Sequence, residues 1–197
     1  MGDQARRVLG VVFAVLLGAI ANTGFGADPR AIVAAEQLGE TITVDATMNV
    51  AAPLGTVWEV MTDFDHMTAI LGNLTSSEVL SRNGNLWIIR QKGIARYGFL
   101  SFPFESDREV RLEPMQRILA RNLTGTLKRM DSELDLSVQG QDVQMHYHAV
   151  IVPDSLLARF FGASFVRHEV EEQLLRMAVE MKRRAGNASP EGRHAGP

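Results

Sequence analysis

The residues of this chain that could do chemistry are few and scattered. His146 and His148 alternate, so a strand would place both on one face within reach of a single metal ion. No third ligand follows nearby, and both fall opposite Tyr147, so the pair reads as two solvated histidines and no metal is expected. His168 lies one turn beyond Ser164 in a helical segment, beside its apolar stripe, where an imidazole could orient a polar ligand head. Asp63 and Asp65 could do acid–base work if both entered a pocket, but their position between two short helices predicts caps. Arg90 and Gln91 interrupt an apolar run, and one of them must point inward. A buried Arg needs an anionic partner, either a ligand carboxylate or headgroup or, within the chain, Glu171. Arg121 poses the same question. The chain has no cysteine, hence neither a thiol nucleophile nor a thiolate metal site. No Ser-His-Asp order, phosphate-cradling glycine loop or carboxylate cluster stands out. No catalytic residue and no cofactor are assigned.

Apolar residues are better organised than polar ones. Phe99-Leu100-Ser101-Phe102-Pro103-Phe104 is rich in aromatics, and Pro103 argues against a central ladder position, so an edge strand or a cavity mouth is expected there. With Phe160, Phe161 and Phe165 this stretch could form an apolar gate; ordinary core packing is the equal alternative.

These side chains must be positioned by the elements around them. Thr41 to Val50 is rich in β-branched residues and reads as the first strand. Pro53 suits the first turn of a helix in which Leu54, Val57, Trp58 and Met61 share a face. A second short helix is expected from Phe64 to Leu71, stopped by Gly72. From Leu74 to Val152 the pattern becomes about six strands. Asn83-Gly84 marks a hairpin, Gly93 to Gly98 a weaker break, and Pro114, Gly125 and Gly140 further corners. In the last strands, Val143, Met145, Tyr147, Ala149 and Ile151 share a dry face, matched by Met130, Leu134, Leu136 and Val138, with Asp131, Glu133 and Asp135 outward. Asp154 or Ser155 can cap a helical turn bearing Leu156 and Leu157, and Gly162 interrupts it. Val170, Leu174, Leu175, Ala178 and Met181 then carry the stripe, with acids early and bases late, as the helix dipole favours.

Arg6 and Arg7 precede an apolar run, Val8 to Ala21, and small residues follow before Ala27. That is the layout of a secretory signal over residues 1–26; the run is shorter than the roughly 20 residues of a spanning helix. Export, to the periplasm or beyond, is expected. Removing the signal takes away two Arg and one Asp, moving the formal charge from −3 to −4. There is no basic surplus to hold a phosphate backbone, which argues against nucleic acid. Residues 27–40 read as a short helix or loose lead-in, 41–185 as one domain, and 186–197 as a disordered tail. Asn73, Asn122 and Asn187 begin Asn-x-Thr or Asn-x-Ser triplets, but the signal looks bacterial and no glycans are expected.

The order of strand, two short helices, about six strands and one long helix is α+β, with a curved antiparallel sheet of about seven strands that needs the helix to fill its concave side. This order, with Val57-Trp58-Glu59-Val60-Met61-Thr62-Asp63-Phe64, resembles the START-like helix-grip superfamily, in its polyketide cyclase/dehydrase and coenzyme Q-binding branch. Asp63-Phe64 before Ile70-Leu71, Ser77-Glu78-Val79-Leu80, Gly125-Thr126-Leu127-Lys128 and the segment from Phe160 to Ala185 resemble its second helix, next strand, glycine corner and closing helix. The likeness spans about residues 41–184. Leu134 departs from it, standing where relatives often carry an aromatic, and could enlarge the cavity or merely repack it. The resemblance implies a pocket for a lipid, quinone or polycyclic ligand, and no shared catalytic set. Its expected walls are Met61, Trp87, Phe99, Phe102, Leu134, Met145, Phe161, Phe165 and Leu175, with Arg90, Tyr147 and His168 as polar contacts. Binding or transport of such a ligand is the first expectation, with membrane contact only transient during ligand exchange. A cyclase or dehydratase using Tyr147, His168 or a carboxylate is the second. A domain filled by its own side chains, acting through protein contacts, is the third.

Overall fold

The computed structural model describes residues 29–97, 100–154 and 162–188. The expected export signal, Phe99, Ser155 through Phe161 and the chain beyond Ala188 lie outside them.

Eight strands form one antiparallel sheet: β1 (Ala31–Leu38), β2 (Thr41–Val50), β3 (Leu74–Asn83), β4 (Leu86–Tyr97), β5 (Leu100–Glu113), β6 (Arg117–Gly125), β7 (Leu127–Gln139) and β8 (Asp142–Pro153). Their order across the sheet is β1-β2-β8-β7-β6-β5-β4-β3. Between β2 and β3 lie helix α1 (Leu54–Thr62), a 3-10 turn (Phe64–His66) and the short helix α2 (Met67–Ile70); helix α3 (Ala163–Ala188) closes the chain. This is the α+β helix-grip architecture.

The alternation that makes each strand also chooses its face. Along β2, Ile42, Val44, Ala46, Met48 and Val50 are all buried, while Asp45 and Asn49 point out. Along β8 the buried set is Val143, Met145, Ala149 and Ile151, and the register pairs Met48 with Met145 and Val44 with Ala149. α3 lays Phe165, Val166, Leu174, Ala178 and Met181 against this dry face. Each large apolar side chain so buried contributes roughly 1.5–3 kcal/mol. The sheet's convex side is polar, with Arg117 paired to Glu133 and Asp135, and Arg121 to Glu109.

Several sequence expectations are corrected. Residues 31–38 are an eighth strand, not a helix or loose lead-in, because Ala31, Val33 and Ala35 alternate onto the core while the backbone pairs with β2. The helix expected at Phe64–Leu71 begins as a 3-10 turn. α3 runs three residues into the segment expected to be tail. Val138 sits near the end of its hairpin and is exposed. Gly93 is not a break: it lies inside β4, and a Cβ there would stand 2.2 Å from the Asn73 carbonyl oxygen and 2.6 Å from the Phe104 ring. Close approach of backbone explains the glycine. Asp63 and Asp65 make no side-chain cap; Asp63 accepts from His66 and Arg184, and Asp65 from the Val79 N–H and Arg82.

Candidate functional site

A cavity of about 330 Å³ lies between the concave face of the sheet and the helices. Its walls come from every layer: Met61 and Met67 from the short helices, Ile89 from β4, Phe102 and Phe104 from β5, Leu134 from β7, and Phe165, Val170 and Leu174 from α3. The sheet opens to make room for it. β6 and β7 pair only from Arg117 to Arg121, and beyond that Asn122 bridges the gap, donating to the Leu127 carbonyl at 3.1 Å and accepting from the Met130 N–H. At the end of β6, Gly125 has φ +133, and a Cβ there would meet the Glu105 carbonyl oxygen at 2.2 Å. Only glycine fits that corner. Pro103 pairs with Ile94 of β4, but β5 meets β6 only from Ser106 onward, so the proline sits where β5 has one neighbour.

The polar groups of the cavity form a small chain. Arg108 projects inward from β5 and donates to the Gln91 Oε1; Gln91 donates to Ser77 at 3.0 Å, and Ser77 to the Phe64 carbonyl at 2.5 Å. Arg108 is half-buried and lines the cavity. Its Nε is covered and has no hydrogen-bond partner. Burial pulls its pKa down, opposed only by Tyr147, yet a guanidinium stays protonated in proteins. Tyr147 is half-buried too; burial pushes its phenol up, against Arg108 and a hydrogen bond with Ser132, so it remains a neutral donor. On α3, burial raises the Glu169 carboxyl, while Asn73, donating at 3.1 Å, partly offsets this.

Of the expected site residues, Met61, Phe102, Leu134, Tyr147 and Phe165 line the cavity. Phe99 and Phe161 lie outside the described residues. Trp87, Met145 and Leu175 are not on its walls. Trp87 packs edge-on against Phe64, its ring centroid 5.9 Å away, with Arg82 over its face; Met145 is sealed in the core. His168 is half exposed beside Glu172 at 3.8 Å, because the helix turns it away from the sheet. Arg90 points outward: strand parity puts Gln91 inside, and Arg90 forms a two-pronged pair with Asp107 at 2.7 Å. Glu171, its suggested partner, pairs with Arg167. Arg121 also faces out. His148 pairs with Asp45 on the convex side. Sequence reading missed Arg108, Asn73 and Glu169. Counting back by twos from Val110 and Leu112 would have put Arg108 on the dry face.

The family model for polyketide cyclase/dehydrase and lipid transport matches residues 50–163. The chain belongs to that family. A search of curated proteins found no match. Among solved structures, a Thermus thermophilus protein is similar at 17% identity and a TM-score of 0.63, covering 73% of this chain and 99% of that one. A STAR-related lipid transfer protein from Xanthomonas axonopodis is 10% identical with a TM-score of 0.62 (77% and 93% covered). The Zhui aromatase/cyclase from Streptomyces is 22% identical with a TM-score of 0.55 (79% and 98% covered). Cyclases and lipid transfer proteins thus share this fold. In this member of the polyketide cyclase/dehydrase and lipid transport family, Arg108 is the one cation among the described residues that line the cavity.

Proposed function

We propose that this protein binds and carries a hydrophobic small molecule, of the lipid, quinone or polycyclic kind, in an exported compartment. The observation that carries this reading is the cavity itself. At about 330 Å³ it reaches the size range of small-molecule sites, and its walls are mainly aliphatic and aromatic. Burial of apolar ligand surface at roughly 25 cal/mol per Å² would supply the affinity, and the polar chain ending at Arg108 the orientation. The export signal read at residues 1–26 supports a compartment beyond the cytoplasmic membrane, with brief membrane contact for loading and release.

The test is mass spectrometry of compounds extracted from the protein purified from its native host. A near-stoichiometric apolar compound is expected. Its absence, together with failure of the delipidated protein to take up any apolar probe, would overturn the reading.

One observation favours a second reading, a cyclase or dehydratase. Arg108 and Tyr147 line the same cavity, and a cation and a phenol converging on one substrate could polarise a carbonyl and donate a proton. Turnover of a poly-β-ketone substrate by the wild type and not by Tyr147→Phe would favour it over a carrier.

A further inference from the structure

Arg108 is the only cation among the described residues lining the cavity, and it makes no ion pair there. Neither acid of the walls serves it: Glu169 is held by Asn73 at 3.1 Å, and Glu105 pairs with Lys92 at 3.1 Å. Among the described residues, its side chain donates to the neutral amide of Gln91. A guanidinium offers five N–H donors in a planar fork. With its Nε covered and without a partner, this half-buried charge carries a desolvation cost that an anionic ligand would offset.

We propose that the natural ligand is an amphiphile with a single carboxylate, bound with its acid end against Arg108 and its apolar body along Ile89, Leu134, Phe165 and Leu174. This rests on the carrier reading above and names its ligand class. Charge balance selects a monoanion: one guanidinium neutralises one carboxylate, whereas a phosphate monoester would bring more negative charge than the wall can answer. Tyr147, on the same cavity wall, offers a hydroxyl donor for the acid end. The fork geometry suits a carboxylate better than a lone carbonyl.

The experiment is calorimetric titration of the delipidated full chain with dodecanoate and with dodecanol, which share a tail and differ in the head. At pH 8 the acid is expected to bind about 10- to 100-fold more tightly, as for a hydrogen bond to a charged group. In Arg108→Met the preference should fall below about twofold while dodecanol binding stays. Because the replacement removes an uncompensated charge, the variant is expected to fold and to melt no lower than its parent. Arg108→Lys, which keeps the charge and loses the fork, should keep part of the preference. Equal affinities in the wild type would overturn the proposal and leave the carrier intact. So would an acid preference that survives in Arg108→Met. Binding of neither compound would overturn the proposal; the carrier reading falls with it only if the delipidated protein also takes up no other apolar probe and no compound co-purifies.

Discussion

Arg184, near the end of α3, donates to Asp63 at the end of α1 at 2.7 Å, although 121 residues separate them in the chain. The same guanidinium bonds Glu180, which Arg183 also holds. The clamp ties the far end of the long helix to the end of the first short one.

Its chemistry predicts acid sensitivity. Hydrogen bonds from Arg183 and then Arg184 outweigh burial and hold Glu180 at about 2. Burial pushes Asp63 up, but Arg184 and His66 bring it below its ordinary value. Depressed carboxyls stabilise the fold above their unfolded pKa values of about 4 and cease to do so as pH falls toward 2. Arg184→Met should cost about 1 kcal/mol at pH 7, and the difference from wild type should shrink between pH 4.5 and 2. Urea melts across that range measure it.

Glu169 should behave in the opposite sense. Its carboxyl is raised, chiefly by burial, so its charged form costs stability above its folded pKa, and the cost disappears as pH falls through it. Glu169→Gln keeps an acceptor for Asn73 and is expected to gain up to about 1 kcal/mol at pH 8, with no gain near pH 4. Thermal melts at the two pH values decide; a loss at pH 8 that fades near pH 4 would mean that the charge-assisted bond to Asn73 outweighs burial.

Gly93→Ala should be among the more damaging single changes. Its Cβ would press on the Asn73 carbonyl, which itself accepts from the Ile94 N–H at 2.8 Å, and on the Phe104 ring. Backbone bound in this way cannot yield cheaply, and a cost of about 2–4 kcal/mol is expected. Chemical denaturation reads it directly.

Leu134 and Arg90 separate the cavity from the convex face. Leu134→Phe has cavity space to enter, so it should lose at most about 1 kcal/mol while weakening uptake of an apolar probe about tenfold or more. Arg90→Ala, whose side chain lies outside with Asp107, should leave uptake unchanged. Parallel titrations of the two variants with one fluorescent probe make the comparison.

Much of the fold was legible because it is written in local periodicity. The alternation of Val143, Met145, Tyr147, Ala149 and Ile151, and the helical stripe through Val170, Leu174, Ala178 and Met181, each imply a dry face whatever packs on it. The helix-grip order follows from those faces. β1 escaped notice because its inward residues, Ala31, Val33 and Ala35, are small and carry little hydrophobic contrast; pairing with β2 decided it.

The site was legible only in part. Composition and patterning established an α+β domain without cysteine and with an apolar interior, and the family resemblance implied a pocket with Met61, Phe102, Leu134, Tyr147 and Phe165 among its walls. Which of two adjacent polar residues turns inward is a matter of strand register, and register is set by partners far along the chain. Tertiary structure therefore placed Gln91 inside and Arg90 outside, and brought Arg108 of β5, Tyr147 of β8 and Glu169 of α3 to one cavity. An enclosed charge is a property of everything packed around it, and no local pattern records that.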